Sequence, residues 1–128
     1  MKSDKGILID SDIIIWFLRG KEEFVKNLSD LIRTSQVFVS PISIAEIYAG
    51  AKKNEENTIR EFFELLQVIE ISKETAKAAG NFIQNYRKSH SVELADALIG
   101  ATAKVNDLLL WTLNKKHYPM LKKGNFYN

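Results

Sequence analysis

Short apolar runs alternate with longer amphipathic segments along the whole chain. Runs rich in branched apolar residues predict buried strands at four places: 6–10, 37–40, 68–72 and 108–112. Apolar residues at helical spacing predict helices over six segments: 13–18, 24–32, 40–53, 58–66, 73–88 and 92–105. This alternation predicts an α/β fold around a central, mostly parallel sheet, because parallel strands need crossover helices between them.

The size and composition predict a single globular domain covering residues 1–128. Hydrophobic residues make up 45% of the chain and charged residues 27%, which is typical of a soluble protein. No apolar run approaches the ~20 residues of a membrane span, and the "MKSDKG" start lacks a signal-peptide core. The absence of cysteine excludes disulfides and thiol nucleophiles and suits the cytoplasm. A net charge of +2 does not by itself indicate a nucleic-acid partner.

The first predicted strand carries two acids inside an apolar stretch, "ILIDSDIII". Asp10 ends the strand and Asp12 lies two residues later, in the turn into a helix. Ligands of open parallel sheets bind beyond the carboxyl ends of the strands, so both acids are candidates for a functional site. Alternatively, Asp12 or Ser11 is simply the helix N-cap. That alternative suits Asp10 less well, since Asp10 is still attached to the strand.

The segment "SPISIAEIYAG" is apolar on nearly every side of its predicted helix, which indicates that Glu46 is buried. An alternative is a capping box, in which Ser43 and Glu46 exchange hydrogen bonds with the helix start. Ser40 followed by Pro41 already supplies a start one turn earlier.

A third acid, Asp96, lies in "LADALIGATA", where the surrounding residues are small or apolar. A helix apolar all round is a buried helix, and an unpaired carboxylate there would cost many kcal/mol unless it finds a cation or a proton. A buried salt bridge to arginine or lysine is the structural alternative.

The three acids Asp10, Glu46 and Asp96 come from separate segments, and no arginine or lysine lies inside these apolar stretches. If the carboxylates cluster, they repel one another unless a cation lies between them. Oxygen ligands without sulfur favour hard divalent ions such as Mg²⁺ or Mn²⁺, which commonly serve phosphate chemistry. This reasoning predicts a reaction class and leaves the substrate open.

The last predicted strand leads into "LLLWTLNKKHYPML". Thr112 and Asn114 follow the strand end, where a hydroxyl and an amide could orient water or phosphate. His117 is a candidate ligand, a phosphate contact or a plain surface residue. Nearby lysines suit a polyanion, although each could equally belong to an ordinary solvated face: Lys115, Lys116, Lys122 and Lys123.

Together these four blocks resemble the PIN-domain nucleases, and in length and layout the VapC toxins of toxin–antitoxin pairs. The resemblance covers nearly the whole chain and implies a three-layer α/β/α fold. It places the family's metal acids on Asp10, Glu46 and Asp96, and its supporting polar residues on Ser11, Asp12, Thr112 and Asn114. One departure stands out: His117 occupies a place where many members carry a fourth aspartate, which puts a second tightly held ion in doubt. Asn114 or Asp12 is left to take that role.

The resemblance implies a Mg²⁺- or Mn²⁺-dependent endoribonuclease, held inactive by a cognate VapB-like antitoxin and expected to be a homodimer. It further implies that the ion polarises the scissile phosphate and activates water, leaving a 3′-hydroxyl. Consecutive apolar residues before Gly20 predict an exposed patch containing Trp16 and Phe17. In the family this region contributes to the antitoxin groove, and simple core packing is the alternative.

Two other functions compete with this interpretation. An aspartyl-phosphate phosphatase also begins with an Asp-x-Asp pair after an apolar strand, but that reaction leaves Glu46 and Asp96 without a role. A PIN fold whose site has decayed into a binding module is the second alternative, and His117 is the residue that suggests it.

Overall fold

The computed structural model describes residues 5–128, and the first four residues of the N-terminal stretch considered above lie outside them. Within this range four strands form one sheet in the order β3-β2-β1-β4, and every neighbouring pair is parallel. The strands are β1 (Ile7–Ile9), β2 (Val37–Val39), β3 (Gln67–Val68) and β4 (Leu109–Trp111). The α-helices are α1 (Ser11–Leu18), α2 (Glu22–Thr34), α3 (Pro41–Ala49), α4 (Glu56–Glu64), α5 (Lys73–His90) and α6 (Leu94–Val105). Short 3-10 helices cover Lys53–Glu55, Lys115–His117 and Lys123–Asn125.

The central strand β1 separates two layers of helices. Its side chains alternate between the faces of the sheet: Ile7 and Ile9 lie in an apolar cluster with residues of α1 to α4. Leu8 lies in a second cluster, which contains Ile99 and Ala103 of α6. The predicted three-layer α/β/α arrangement is therefore confirmed.

Two elements are shorter than the sequence predicts. The third strand covers only Gln67–Val68, and its pairing with β2 ends at a hydrogen bond from the Ile69 N–H to the Val39 carbonyl, ahead of most of the predicted 68–72 segment. Its partner β2 is itself only three residues long, because Ser40 and Pro41 turn the chain into α3 and proline has no N–H to give to a sheet. Helix α3 ends at Ala49 rather than near residue 53, since Gly50 caps it and a separate 3-10 turn follows.

Helix α6 packs closely beside the chain that follows the sheet, as the small residues of its sequence predict. Gly100 makes this contact possible: a Cβ at this position would lie 2.7 Å from the sulfur of Met120. Gly20 ends the first helical segment as predicted, with φ of +78°, a conformation that glycine adopts without strain. No helix among residues 5–128 is long and apolar enough to cross a membrane.

The sheet brings the ends of β1 and β4 side by side. The backbone N–H of Asp10, directly after β1, donates to the carbonyl of Trp111 at the end of β4 (3.0 Å). Because Thr112 comes next, the first acid and the first polar residue after the last strand meet at the carboxyl edge of the sheet.

Candidate active site

Asp10 is the buried centre of this edge, with only 7% of its surface exposed. Its Oδ2 accepts hydrogen bonds from the hydroxyls of Thr112 (2.9 Å) and Tyr118 (2.7 Å). Its Oδ1 accepts the backbone N–H of Ser11 (2.8 Å), and Asp10 is the N-cap of α1. The expectation that Asp10 suits the cap poorly is therefore wrong, and so is the alternative that Asp12 or Ser11 caps the helix. The chain leaves β1 in extended conformation and enters the helix at the next residue, so the last extended residue is the cap.

Asp12 fastens the start of α1 to the end of β4. Its Oδ2 accepts the backbone N–H of Leu113 (2.9 Å) and the side-chain amide of Asn114 (3.0 Å), with the Thr112 hydroxyl at 3.3 Å. Its Oδ1 accepts the N–H of Ile13 (2.8 Å). With so many donors already bonded, Asp12 holds the loop after β4 in place, and Asn114 is its partner.

Tyr118 links Asp10 to Asp96. Its hydroxyl lies 2.7 Å from Oδ2 of Asp10 and 3.5 Å from Oδ1 of Asp96. The distance between Oδ2 of Asp10 and Oδ1 of Asp96 is therefore no greater than the sum of these two distances. Asp96 lies in the first turn of α6, where the helix dipole favours negative charge. Its side chain is 27% exposed, so it is only partly buried.

At Glu46 both the predicted burial and the capping-box alternative are wrong. Residue 46 is exposed, and of the α3 residues only Ser43 and Ile47 are buried. The helix packs one narrow face on the core and leaves its other apolar residues, Tyr48 among them, near solvent. The capping-box alternative is also wrong: Ser40 is the N-cap, and the Ser43 hydroxyl has no hydrogen-bond partner among the described residues.

The acids interact electrically with one another. Although residue 46 is exposed, partial loss of solvent around its carboxylate raises the pKa of Glu46; the Ser11 hydroxyl lowers it, and the charges of Asp10 and Asp96 raise it. Burial and then the Asp10 charge likewise raise the pKa of Asp96, an effect that His117 partly offsets. The pKa of Asp12 is raised by burial and by Asp10 against several hydrogen bonds. Four carboxylates thus share one edge of the sheet at an electrostatic cost.

The described part of the chain offers these acids no lysine or arginine partner. Its ion pairs to Lys and Arg involve Asp107, Asp30 and Glu64, all elsewhere. His117 is the nearest basic group, with Nδ1 3.7 Å from Oδ2 of Asp96 and its side chain half exposed. The buried salt bridge considered for Asp96 is therefore not formed with arginine or lysine in residues 5–128.

The oxygen donors suit a hard divalent ion in their chemistry. As placed in residues 5–128, no three acidic or histidine side chains converge on one point as ready ligands. Asp10 is fixed by three hydrogen bonds, whereas Glu46 is exposed and interacts with the Ser11 hydroxyl. The fit is therefore one of donor chemistry, with Asp10 as the fixed member of the set.

The basic residues after the sheet lie at the surface. Lys115, Lys116, Lys122 and Lys123 are all exposed. Lys115 bonds to the side chain of Asn128 and lies over the ring of Phe126, 5.5 Å from its centroid. Asn114 is exposed too, and its amide is engaged by Asp12, so orientation of water or phosphate by Asn114 stays a prediction.

Trp16 and Phe17 are less exposed than their sequence predicts. Phe17 packs on Phe62, with ring centroids 4.8 Å apart, and both residues of the patch contact the core. Trp16 stacks on Phe24, and the charged ends of Lys21 and Arg19 lie over its ring at 4.7 and 5.4 Å. The core-packing alternative therefore holds for much of this segment, and Trp16 forms a partly exposed surface edged by cations.

Tyr118 is the residue that the sequence reasoning missed. It lies next to a proline and two apolar residues in "HYPML", which indicates burial. A buried tyrosine hydroxyl needs a hydrogen-bond partner, and that requirement could have suggested a polar contact. Burial, and after it the charge of Asp10, raise the pKa of Tyr118 far above its usual value. The hydroxyl therefore stays protonated and acts as a donor.

Known proteins resemble this chain in sequence and in fold. The family model described as "PIN domain" matches residues 7–120. Ribonuclease VapC10 of Mycobacterium tuberculosis is 35% identical over 118 residues, covering 91% of this chain and 89% of that protein. Ribonuclease VapC19 of the same species is 32% identical over 115 residues, covering 88% and 92%. A solved toxin–antitoxin complex from Klebsiella pneumoniae superimposes with a TM-score of 0.78 at 28% identity, covering 95% and 96% of the two chains.

The chain belongs to the PIN domain family. This membership favours the PIN-domain interpretation of the sequence over the aspartyl-phosphate phosphatase alternative.

Proposed function

We propose that this protein is a Mg²⁺- or Mn²⁺-dependent endoribonuclease and the toxin of a toxin–antitoxin pair, acting in the cytoplasm. Its relatives at 32% and 35% identity are named ribonucleases, and a similar solved structure is a toxin–antitoxin complex. Within this proposal Asp10, Glu46 and Asp96 hold the ion, directly or through water. Ser11 and Asn114 position phosphate or water, and RNA is the substrate.

One observation carries the proposal: a buried carboxylate, Asp10, lies beside Asp96 and Glu46 without a lysine or arginine partner in the described chain. Such a group is unfavourable for folding unless a cation completes it. Mg²⁺ and Mn²⁺ are the ions that carboxylate oxygens select when phosphate is the substrate.

In this proposal the residues of the site have separate roles. Asp10 is held rigid by the cap of α1 and by two hydroxyls, so it fixes the position of the site. Asp12 with Asn114 holds the loop after β4 against α1, and exposed lysines in that loop attract the phosphate backbone. When bound, the ion supplies a Lewis acid and lowers the pKa of the attacking water.

The test is cleavage of a 5′-labelled RNA of mixed sequence by the purified chain. We expect cleavage with Mn²⁺ or Mg²⁺, products ending in a 3′-hydroxyl, and no cleavage in EDTA. Metal-independent cleavage, or none with any divalent ion, would contradict the proposal. The decayed-site alternative predicts in addition that Mn²⁺ leaves the melting temperature unchanged, whereas an intact site predicts a rise.

The antitoxin groove is proposed around the exposed side of Trp16 and Phe17. Trp16 offers a partly exposed ring and Ile15 is 39% exposed beside it. The hypothesis is that polar substitution of Trp16 and Phe17 weakens antitoxin binding while the fold survives. Because Phe17 packs on Phe62, Trp16→Ser alone is the cleaner variant. Unchanged affinity in the folded variant, measured by calorimetry against the cognate antitoxin, would remove the hypothesis. A homodimer is proposed on family grounds, and the mass in solution tests it.

A further inference from the structure

Two hydroxyls converge on a single oxygen of Asp10. Thr112 and Tyr118 both donate to Oδ2, at 2.9 and 2.7 Å. An ionised carboxylate has about two acceptor positions on each oxygen. Both acceptor positions of Oδ2 thus face hydroxyls, which makes it the more occupied oxygen of Asp10.

The other oxygen of Asp10 keeps one position open. Oδ1 accepts a single hydrogen bond, from the backbone N–H of Ser11 at 2.8 Å. Because Ser11 is fixed as the first residue of α1, the orientation of the whole carboxylate is determined from both ends. Oδ1 is then the oxygen of Asp10 with a position open to a cation.

The Tyr118 ring is in no position to swing away. The residue is 1% exposed and packs in the apolar cluster that contains Leu8 and Leu110. A Cβ at Gly100 would lie only 3.4 Å from Cδ1 of the Tyr118 ring, so the wall of α6 is close against it. The backbone is held as well, because the Tyr118 N–H donates to the carbonyl of Lys115 and the Tyr118 carbonyl accepts from Leu121, both at 3.0 Å.

We infer that Tyr118 is a positioning residue for the metal ligand Asp10: together with Thr112 it occupies Oδ2, turns Oδ1 toward the ion and sets the spacing between Asp10 and Asp96. The inference rests on the metal site of the proposed function. It assigns the hydroxyl of Tyr118 to orientation of a ligand and gives it no contact with the substrate. Hydrogen-bond partners of ligating carboxylates typically change metal affinity by about 10- to 100-fold when removed.

Calorimetric titration of Mn²⁺ into the metal-free protein, well below its melting temperature, tests this role without reference to cleavage. We expect Tyr118→Phe to bind Mn²⁺ about tenfold more weakly than the wild type and to melt at a lower temperature in EDTA. Tyr127→Phe is the matched control: it also removes a tyrosine hydroxyl, and the Tyr127 ring packs edge to face on Trp111. We expect that variant to keep the wild-type affinity.

A purely structural hydroxyl would lower the melting temperature and leave the affinity of the folded protein unchanged, so equal affinity would overturn the inference. Tighter binding by Tyr118→Phe would overturn it too, because the hydroxyl would then compete with the ion. If Tyr118→Phe does not fold, Thr112→Val removes the other donor to Oδ2, and the same weakening is expected. Absence of Mn²⁺ binding in the wild type would contradict the proposed metal site itself, a result distinct from a failure confined to the variant.

Discussion

At the two edges of the sheet, carboxylates differ in their exposure and in their bonding partners. At the amino edge, the side chain of Asp107 just before β4 is 78% exposed and pairs with Lys5 at 3.1 Å. At the carboxyl edge, Asp10 just after β1 is 7% exposed and bonds to hydroxyls and a backbone N–H. Exposed pairs such as the first contribute little to stability, and they cost little as well.

The difference shows that the acids at the carboxyl edge, unlike Asp107, are placed at a cost to the metal-free fold. Near Asp10 the pKa of each neighbouring acid, Asp12, Glu46 and Asp96, is raised by burial and by the Asp10 charge. A raised pKa means that ionisation of these acids is less favourable in the folded protein than in the unfolded chain. Their charges therefore do not stabilise the metal-free fold. Local departures from stable design of this kind are expected at functional sites.

The largest expected effect is a difference in RNA cleavage between variants at the two edges of the sheet. Asp96→Asn should lower RNA cleavage about a thousandfold or more, since loss of an ion ligand removes several kcal/mol of charge stabilisation. Asp107→Asn, the same change at the amino edge, should cleave at the wild-type rate. Initial rates with Mn²⁺, together with circular dichroism to verify folding, measure both. Full activity in a folded Asp96→Asn protein would contradict the assignment of this ligand.

A smaller effect is a difference in stability between variants of two buried threonines. Thr112→Val removes the donor to Asp10 and the acceptor for the Asn114 N–H, so it should lower the free energy of unfolding by about 1.5–3 kcal/mol, as for hydrogen bonds to charged groups. Thr102→Val is the matched control, because that hydroxyl is equally buried but bonds only to the Leu98 carbonyl of its own helix. Urea denaturation in EDTA measures both values. An equal or larger loss in the control would show that the carboxyl edge is not special.

The pH dependence sharpens the comparison further. The raised pKa of Asp96 in the folded protein means that the unfolded chain ionises first as pH rises above the ordinary value of 3.8. Unionised Asp96 at low pH costs nothing, so the contribution of this group to stability falls as pH increases through its folded pKa. In EDTA, Asp96→Asn should therefore gain stability relative to the wild type as pH rises above about 4. A gap that narrows as pH rises would mean that the carboxylate is stabilised in the fold.

Much of this site could be predicted from sequence, and the misses have physical causes. Asp10 and Thr112 stand directly after strands and Asp12 lies in the first turn of the next helix, and parallel topology alone brings such positions together. The exposure of Glu46 could not be derived, because apolar residues on every side of a short helix do not show which face meets the core. Tyr118 was missed since its contact spans 108 residues of chain, from "HYPML" back to Asp10. Periodicity describes local faces and carries no information on such contacts.

The smallest expected effect concerns the lysines beside the site. Lys115→Ala/Lys116→Ala should weaken RNA binding a few-fold and reduce the salt dependence of binding by about 0.7 per lost phosphate contact, the value typical of single strands. The double variant Lys26→Ala/Lys77→Ala removes the same charge from exposed positions of α2 and α5, and we expect it to keep the salt dependence. Both pairs are introduced into the Asp96→Asn background so that RNA is not cut, and fluorescence anisotropy is measured from low to high salt. Equal loss in the two double variants would indicate attraction by net charge alone, and the lysines at the carboxyl edge would then have no specific contact with RNA.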